Sequence, residues 1–386
     1  MESSLYRHMK KVIKVPIILI AFLLLSSITA YSQDKPFVSY PENISNYLKR
    51  IQKGEQKYKY TKDKNFKDWQ NETRAALIEL IGLKKMSIEL KGHVPSIQIG
   101  QKEEVNGKFS RTLCKIETEP GVHVPFYLLV PLNTNKKLPL VICPHGHDTE
   151  GLHSYSGAYL NEDHRKKITA REGNIAEQAA LRGMIAIAPA TRGLANELLV
   201  PDPKGRHGNR HCRAQFMHCI ISGRTPTAER VWDMQRIIDW AWNHPRVDQK
   251  KIIMTGNSGG GVLTAYSAAI DNRISIAVPS CSFTSVTSSE GFIFHCDCCA
   301  VPGIRDWGDW TELGALIAPR NLLIVHGVSD GLHRKKDVES TATKIKNVYL
   351  GLGIGNKMEM EWGNSGHRFY PSIMWPFIEK AIGTRR

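Results

Sequence analysis

The sequence predicts an α/β fold with a mostly parallel central sheet and helices on both faces. From residue 138 to residue 382, short apolar runs alternate with segments of helical periodicity, the pattern of parallel strands joined by crossover helices. One of these runs stops at a Gly-x-Ser-x-Gly sequence, residues 256–260, and a helix-compatible run follows at once. The chain has 386 residues, 41% of them hydrophobic, so it can bury a sizeable core.

The first 32 residues predict a signal peptide. Three lysines at residues 10–14 precede an apolar run at residues 15–25, and small residues suited to cleavage follow. The alternative is a membrane anchor, but the run is short for a bilayer span of roughly 20 residues. We therefore expect a periplasmic or secreted protein without stable membrane insertion. Residues 33–66, rich in Lys, Tyr and Asn, predict an irregular N-terminal segment before one domain at residues 67–386.

Apolar spacing predicts the elements of that domain in order. Apolar residues three or four positions apart predict helices, alternation predicts a hairpin at a sheet edge, and short continuous apolar runs predict buried strands. The predicted helices are residues 68–83, 172–182, 228–243, 262–270, 336–350 and 371–382. The hairpin is predicted at residues 107–130, and the strands at residues 138–143, 184–189, 252–255, 274–279, 322–327 and 357–362.

Two long insertions interrupt the alternation. The first extends from residue 194 to about residue 225 and contains a cluster of Arg and His at residues 206–213. The second covers residues 280–310. Loops of this length are usually functional or disordered, so the first insertion is interpreted as a substrate wall, with a solvated loop as the alternative.

The chain is basic. Its formal charge is +15, and removal of residues 1–30, which hold four basic residues and one acidic residue, leaves +12. For an exported protein this charge favours an acidic polysaccharide, an oligosaccharide of the same kind or an envelope surface as partner, and not nucleic acid. A basic surface with no specific partner remains the alternative.

Eight cysteines in an exported chain permit disulfides. Cys143 falls in a predicted buried strand and is expected to be a free core thiol. The sequence His-Cys-Asp-Cys-Cys at residues 295–299 also suggests a metal site, but no second spaced pair of ligands accompanies it, so neither a metal nor another cofactor is predicted. The candidates for disulfides are Cys212 with Cys219, and the group Cys296, Cys298 and Cys299.

Ser258 is the candidate nucleophile. A serine on a sharp strand-to-helix turn needs neighbours without side chains, and Gly256 and Gly260 flank it. The turn would raise Ser258 to the positive N-terminal end of the next helix, where the Gly259 N–H faces a developing oxyanion. The His147 N–H, in the turn after the strand at residues 138–143, is the second predicted oxyanion donor. The alternative is a glycine-rich turn with a surface serine.

An acid and a histidine follow Ser258 in the chain. Asp330 and His367 come after later strands, and the carboxyl ends of parallel strands are where such sheets bind ligands. His367 can take the Ser258 proton and later protonate the leaving alkoxide, while Asp330 orients the imidazole and stabilises its charged form. The rival acids are Glu290 and Asp306, both in the second insertion.

Six motifs occur together in this chain: Val231-Trp232-Asp233, Val247-Asp248, residues 256–261 around Ser258, Cys298 with the Val-Pro-Gly of residues 301–303, the Ile-Ala-Pro-Arg of residues 317–320, and Gly366-His367. In this combination the chain resembles the secreted acetylxylan-esterase-like branch of the α/β-hydrolase superfamily, over roughly residues 70–382. The resemblance implies an α/β-hydrolase fold with lid-like loop insertions. It also implies a serine carboxylesterase that acts on ester groups of carbohydrates, with Ser258, Asp330 and His367 as its triad.

Other positions bear on the substrate. Residues 191–193, Thr-Arg-Gly, resemble a recurrent Arg-Gly near the active-site mouth of that branch, which implies that Arg192 supports the site or contacts substrate. Trp307 and Trp310 are unusual in the second insertion, where they would either stack on sugar rings or pack in the core.

We therefore expect removal of acetyl groups from xylan-like polysaccharides through an acyl-enzyme and without a cofactor. The basic charge favours one alternative, the removal of methyl esters from the uronates of an acidic glycan such as pectin. A peptidase of similar fold would need a larger cap domain than the N-terminal portion can form. A glycan-binding protein on an inactive hydrolase scaffold would be expected to lack a triad member, and all three are in the sequence.

Overall fold

The computed structural model describes residues 41–51, 55–206, 210–286 and 295–383. The predicted signal peptide, residues 1–32, and the rival acid Glu290 lie outside the described residues. The chain divides into two units, Met1–Ile44 and Ser45–Arg386, and the site described below belongs to the second. Every helix of the described residues is too short or too polar to cross a membrane.

The described strands form a nine-stranded sheet. They are β1 (Ile97–Val105), β2 (Phe109–Glu119), β3 (Val122–Pro131), β4 (Leu138–Ile142), β5 (Ile185–Pro189), β6 (Val247–Asn257), β7 (Ile276–Ser280), β8 (Asn321–Gly327) and β9 (Met358–Gly363). Their order across the sheet is β1-β2-β3-β5-β4-β6-β7-β8-β9. The β1–β2, β2–β3 and β3–β5 pairs are antiparallel. The remaining pairs in this order, from β5–β4 to β8–β9, are parallel.

Helices connect these strands. They are α1 (Glu42–Ile51), α2 (Phe66–Leu80), α3 (Leu83–Glu89), α4 (Gly151–Ser156), α5 (Glu162–Ala170), α6 (Ile175–Leu181), α7 (His211–Ile221), α8 (Pro226–Trp242), α9 (Gly259–Ile270), α10 (Ile304–Trp307), α11 (Trp310–Ala315), α12 (Lys335–Gly351) and α13 (Pro371–Ile382). Short 3-10 turns lie at Asn196–Leu198, Asp297–Cys299 and Gly355–Lys357.

The sheet separates two hydrophobic cores. Successive side chains of β4 alternate between them, so Leu140 and Ile142 belong to one core and Val141 to the other. Helices α2, α8 and α9 supply the first core, and α6 and α13 supply the second. The predicted α/β class, with a mostly parallel sheet and helices on both faces, is confirmed by this arrangement.

Three elements differ from the prediction. The segment at residues 33–66, predicted to be irregular, contains α1 among its described residues. The helix predicted at residues 68–83 is α2, which ends earlier, at Leu80, because Gly82 takes a φ of +86° and α3 begins after it. The first insertion, in which no periodicity was found, contains α7.

Both tryptophans of the second insertion pack in the core. Trp307 and Trp310 retain only 4% and 2% of their surface, so core packing, and not an exposed sugar platform, is their observed role. Trp310 stacks on His295 and meets the edge of Phe283. Residues 287–294 of this insertion lie outside the described residues.

Candidate active site

Ser258 lies on a strained turn between β6 and α9. Its backbone has φ +59° and ψ −123°, a conformation that residues other than glycine rarely adopt. The turn is held on both sides, because the Ser258 N–H donates to the Ser280 carbonyl over 2.9 Å and the Ser258 carbonyl accepts from the Val262 N–H over 3.0 Å. The hydroxyl is thereby fixed at the N-terminal end of α9.

The glycines around Ser258 allow close backbone approach. A Cβ at Gly256 would lie 2.5 Å from the Gly260 carbonyl, and one at Gly260 would lie 2.1 Å from the Pro144 oxygen. A Cβ at Gly146 would lie 3.2 Å from the Ser258 Cβ. The loop after β4 therefore packs directly on the turn, as the glycine spacing predicts.

Asp330 and His367 form a hydrogen-bonded pair. The Asp330 Oδ2 lies 2.8 Å from the His367 Nδ1 and accepts a hydrogen bond from it, which leaves Nε2 as the nitrogen available to a reacting group. The Asp330 side chain is 2% exposed, whereas that of His367 is 27% exposed and accessible to a substrate. The structure thus brings together two of the three residues predicted as a triad.

The loops after β8 and β9 are tied to each other. The Val328 N–H donates to the Gly363 carbonyl over 2.8 Å, and the Ser329 N–H donates to the Ser365 carbonyl over 3.0 Å. A Cβ at Gly327 would lie 2.1 Å from the Gly366 oxygen, so only glycine lets these loops meet. This close packing sets the separation of Asp330 and His367.

Ser280, at the end of β7, links the turn to the histidine loop. Its carbonyl accepts from the Ser258 N–H, and its hydroxyl donates to the carbonyl of Arg368, the residue after His367, over 3.3 Å. In the described part of the chain no hydrogen bond joins the Ser258 hydroxyl to His367. Such bonds are often long in hydrolases without substrate and tighten when substrate binds.

The environment of Asp330 keeps it ionised. Burial disfavours the charged carboxylate, but the hydrogen bond and charge of His367 and the Leu332 N–H outweigh it, so the pKa of Asp330 is lowered to about 2. Of the two rival acids, Asp306 is exposed on α10, and Glu290 lies outside the described residues. The geometry therefore favours Asp330 as the acid.

His147 and Gly259, the residues of the two predicted oxyanion donors, lie close to each other. A Cβ at Gly259 would lie 3.4 Å from the Gly146 Cα and 3.7 Å from the His147 Nδ1. The Gly259 N–H belongs to the first turn of α9, where no intrahelical carbonyl is available to accept it. These two backbone donors can serve a negatively charged oxygen from neighbouring positions.

Ser258 opens onto a cavity of about 440 Å³. The lining combines the turn, the loop after β4, both insertions and the loop after Asp330, and its described residues include no Asp or Glu. Leu332, 47% exposed, contributes apolar surface. The polar lining residues are His147, Thr149, Arg210, His211, Cys212, Ser258, Cys281, His295, Cys296, Cys299 and His333.

A family model described as the Abhydrolase family matches residues 25–275, well over half of the chain. The chain belongs to the Abhydrolase family. Ser258 and His147 fall inside the matched range of this Abhydrolase chain, and Asp330 and His367 follow it.

A curated relative, named as a candidate hydrolase, is YtaP of Bacillus subtilis (strain 168), which is 26% identical over 171 residues. These residues cover 42% of this Abhydrolase chain and 56% of the relative, so the chain spans little more than half the length of that protein.

Two solved structures show the fold of the Abhydrolase chain. One is a candidate acetyl xylan esterase from Bacteroides fragilis, with a TM-score of 0.70 and 14% identity over 90% of this chain and 97% of that one. The other is a methylesterase, with a TM-score of 0.64 and 18% identity over 89% of this chain and 68% of that one. Together with the sheet described above, these likenesses confirm the predicted α/β-hydrolase fold.

Arg192 is not among the described residues that line the cavity of this Abhydrolase structure, and its surroundings favour the support role. It is 8% exposed, and its guanidinium donates to the carboxylates of Glu119 and Asp233 and to the Thr118 hydroxyl. Glu229 lies 3.8 Å away. With its donors held by buried acids, Arg192 acts as a support that ties β2 to α8.

The eight cysteines of the Abhydrolase chain are free. Cys143 is fully buried, as predicted for a core thiol. The bridge considered between Cys212 and Cys219 is wrong, because both lie on α7 two turns apart, a rise of about 10 Å, and disulfides need Cα atoms within about 7 Å.

Several residues that line the Abhydrolase cavity were not predicted from the sequence to lie there. His295 and His333 have ring centroids 5.1 Å apart, and His333 lies 5.4 Å from His326. His333 follows Asp330 by three residues, a spacing that could have drawn attention to it. Arg210 was named within a basic cluster, but its position in the wall depends on the fold of the insertion.

Proposed function

We propose that this chain is an exported serine esterase that removes small ester groups, acetyl in the first instance, from polysaccharides. The observation that carries the proposal is the strained Ser258 turn at a cavity of about 440 Å³, with the bonded Asp330–His367 pair on the adjoining loops. The family, and the esterases that share the fold, support the same reaction class.

The proposed reaction proceeds through an acyl-enzyme. His367 takes the Ser258 proton at Nε2 as the hydroxyl oxygen attacks the ester carbonyl, and the carbonyl oxygen becomes an oxyanion facing the N–H groups of Gly259 and His147. Collapse of this tetrahedral intermediate expels the sugar alkoxide, which takes the proton from His367. Water activated by the same imidazole then hydrolyses the acyl-serine and restores the hydroxyl.

Asp330 supports this cycle by its charge. With its pKa lowered to about 2, it stays ionised throughout the working range, so it fixes the tautomer of His367 and stabilises the imidazolium that forms. We propose Ser258, Asp330 and His367 as the triad on these grounds.

A second candidate substrate is the methyl ester of a uronate. Among the described residues, the cavity lining holds Arg210, His211 and other histidines but no carboxylate, and the chain without residues 1–30 carries +12. A negatively charged glycan suits such a wall better than a neutral one. The fold shared with a methylesterase is in keeping with this alternative.

The test is product release from acetylated xylan and from methyl-esterified pectin. We expect acetate from xylan with the unmodified chain, and a loss of on the order of 10⁴-fold or more in kcat with Ser258→Ala and Asp330→Asn. Ser87→Ala, at an exposed serine of α3, is the matched control and should keep full activity.

The same assay separates the two substrates. Methanol from pectin, with KM raised about tenfold by Arg210→Ala, would assign the site to uronate methyl esters, since a charge-assisted bond contributes about 1.5–3 kcal/mol. If neither glycan nor a small aryl acetate is hydrolysed, the esterase proposal fails.

A further inference from the structure

Four side chains converge on the wall of the Ser258 cavity with the composition of a metal site. They are His147, Cys212, Cys296 and Cys298, here called the Cys3His cluster, and one ligand atom from each lies within 4.8 Å of all the others. The cluster is separate from the triad, and the proposed ester chemistry uses only the backbone N–H of His147 and none of the four ligand side chains. The inference therefore stands whether or not the proposed function is correct.

The distances in the Cys3His cluster are those of a tetrahedral metal. Zinc with Zn–S bonds of about 2.3 Å and Zn–N bonds of about 2.0 Å holds two sulfurs about 3.8 Å apart and a sulfur and a nitrogen about 3.6 Å apart. The Cys212 and Cys296 sulfurs are 3.7 Å apart. The Cys298 sulfur is 3.6 Å from the His147 Nε2.

The ligands come from three separate parts of the chain. His147 lies in the loop after β4, Cys212 in the first turn of α7, and Cys296 and Cys298 in the second insertion. The His-Cys-Asp-Cys-Cys sequence suggested a metal but lacked a second pair of ligands, and that pair is supplied in space by His147 and Cys212. No metal was predicted because His147 and Cys212 are far in sequence from Cys296 and Cys298.

The surroundings favour thiolates. The Arg230 guanidinium, 2% exposed, donates to the Cys298 sulfur over 3.6 Å and to the Cys298 carbonyl over 3.3 Å. Cys212 is the second residue of α7, close to the positive end of the helix. A nearby cation and a helix N-terminus both stabilise a charged sulfur, the form that ligates a metal.

We propose that the Cys3His cluster binds one zinc ion with all four positions filled by protein. Three thiolates and an imidazole are soft and borderline ligands, which select zinc over the harder magnesium and calcium. On binding, the thiols give up their protons to solvent and the metal takes the sulfur lone pairs. A site closed by four side chains is structural, since it leaves no position for water or substrate.

The metal would join both insertions to the loop that carries a predicted oxyanion donor. His147 follows Gly146, whose Cα lies against Gly259, so a ligand bond at the His147 ring would hold this loop on the Ser258 turn. Cys212 and Cys296 line the same cavity. Zinc would thus fix one wall of the cavity from outside the reacting groups.

The first test measures metal on the unmodified chain. Purified under reducing conditions without chelators, it should contain about one zinc per chain by elemental analysis. Removal of zinc by a chelator should lower the thermal midpoint and expose three reactive thiols, and added Zn²⁺ should reverse both changes. Substitution with Co²⁺ should give the visible absorption of tetrahedral thiolate coordination.

Variants localise the metal. The Cys298→Ser and Cys296→Ser variants should lose zinc to the same chelator at least tenfold faster than the unmodified chain. The Cys219→Ser variant should lose it at the rate of the unmodified chain. Cys219 is the matched control, since it lies on α7 with Cys212 and outside the Cys3His cluster. If the ligand variants do not fold, the removal and restoration of zinc in the unmodified chain still decides the question.

Three results would overturn the proposal. A folded chain that takes up no zinc after Zn²⁺ is added lacks the site. A disulfide between Cys212 and Cys296, found by peptide mapping without reduction, would mean that these sulfurs are a covalent bridge. Zinc retention by Cys298→Ser equal to that of the control would mean that the metal is bound elsewhere.

Discussion

The backbone of Ser258 shows how a residue under strain is held in place. A non-glycine residue in this region is less stable than in an ordinary turn by about 1–3 kcal/mol, and it persists only where its surroundings over-determine it. Here two backbone hydrogen bonds and the close contacts of Gly256 and Gly260 do so. The strain was predictable, because Gly-x-Ser-x-Gly at the end of an apolar run has few other structural uses.

Arg192 gives a prediction that separates support from substrate binding. Arg192→Met would leave Asp233, 1% exposed, buried without its cation, and Glu119, 7% exposed, with Arg224 as its remaining partner. Removing one partner of a buried ion pair is strongly destabilising, so the free energy of unfolding in urea should fall by about 3–5 kcal/mol.

The control for Arg192 is an exposed pair. Arg165 and Glu162, both about half exposed on α5, form a bidentate contact, and Arg165→Met should leave the free energy of unfolding nearly unchanged. A stable Arg192→Met chain with a raised KM for substrate would contradict the support role and restore the substrate contact.

The triad candidates and the Cys3His cluster differ in how far the sequence reveals them. Ser258, Asp330 and His367 each follow a strand of a parallel sheet, so their convergence follows from the fold class. His147 and Cys212 belong to segments whose contact depends on the path of an insertion. No local spacing encodes that contact, and the cluster was therefore missed.

Among the elements, the central strands were predictable and the peripheral ones were not. Strands β5 and β7 are buried along their whole length and appear as continuous apolar runs. Strand β1 lies at the sheet edge with both faces exposed, so no alternation marks it. Helix α7 buries Cys212 and Cys219 while Ile221 is 80% exposed, so its apolar residues do not lie on its buried face.

Asp309 anchors the second insertion by capping α11. Its carboxylate accepts from the Trp310 N–H and, across the insertion, from the Val286 N–H, each over 2.8 Å. It also accepts from the Ser285 hydroxyl, and Glu312 completes a capping box. Asp309→Ala would leave buried donors unpaired, so the free energy of unfolding should fall by about 2–3 kcal/mol.

Asn65 provides the comparison for Asp309. It caps α2 by accepting from the Lys67 and Asp68 N–H groups at an exposed position, so Asn65→Ala should lower stability by about 1 kcal/mol. Urea denaturation of both variants checks the difference. Equal losses would mean that the bond from Asp309 to Val286 contributes nothing beyond an ordinary cap.

At the scale of the whole molecule, the function was more accessible from the sequence than the shape of the cavity. Chain order and strand ends predict where a nucleophile, an acid and a base meet. The walls come from the loop after β4 and two insertions, and their side chains meet only after the sheet has formed. The side chains that would meet the substrate were therefore less predictable from the sequence than the positions of the three triad candidates.

The stability of the whole chain should fall in acid because of two buried histidines next to the site. His326 and His333 are both within the core, and burial is the first cause that lowers the pKa of each to about 3. His333 opposes protonation of His326 and His295 opposes that of His333, whereas Asp330 acts in the opposite direction.

The sign of the effect follows from the unfolded chain, where a histidine has a pKa of about 6.5. Between about pH 6.5 and pH 3 the unfolded chain binds more protons, so the contribution is complete above pH 6.5 and is lost as the pH falls. Each histidine should lower the free energy of unfolding by up to about 1.4 kcal/mol per pH unit. Asp330 adds a loss only below about pH 4, because its folded pKa is about 2.

Urea denaturation at several pH values between 7.5 and 5 measures this slope. His326→Gln with His333→Gln should flatten it, whereas His218→Gln, at an exposed position of α7, is the control that should leave it in place. A free energy of unfolding that stays constant across this range would mean that the two buried rings are protonated in the folded chain as readily as in the unfolded one. A water or a carboxylate beside the two rings would then have to accept hydrogen bonds from their protonated forms.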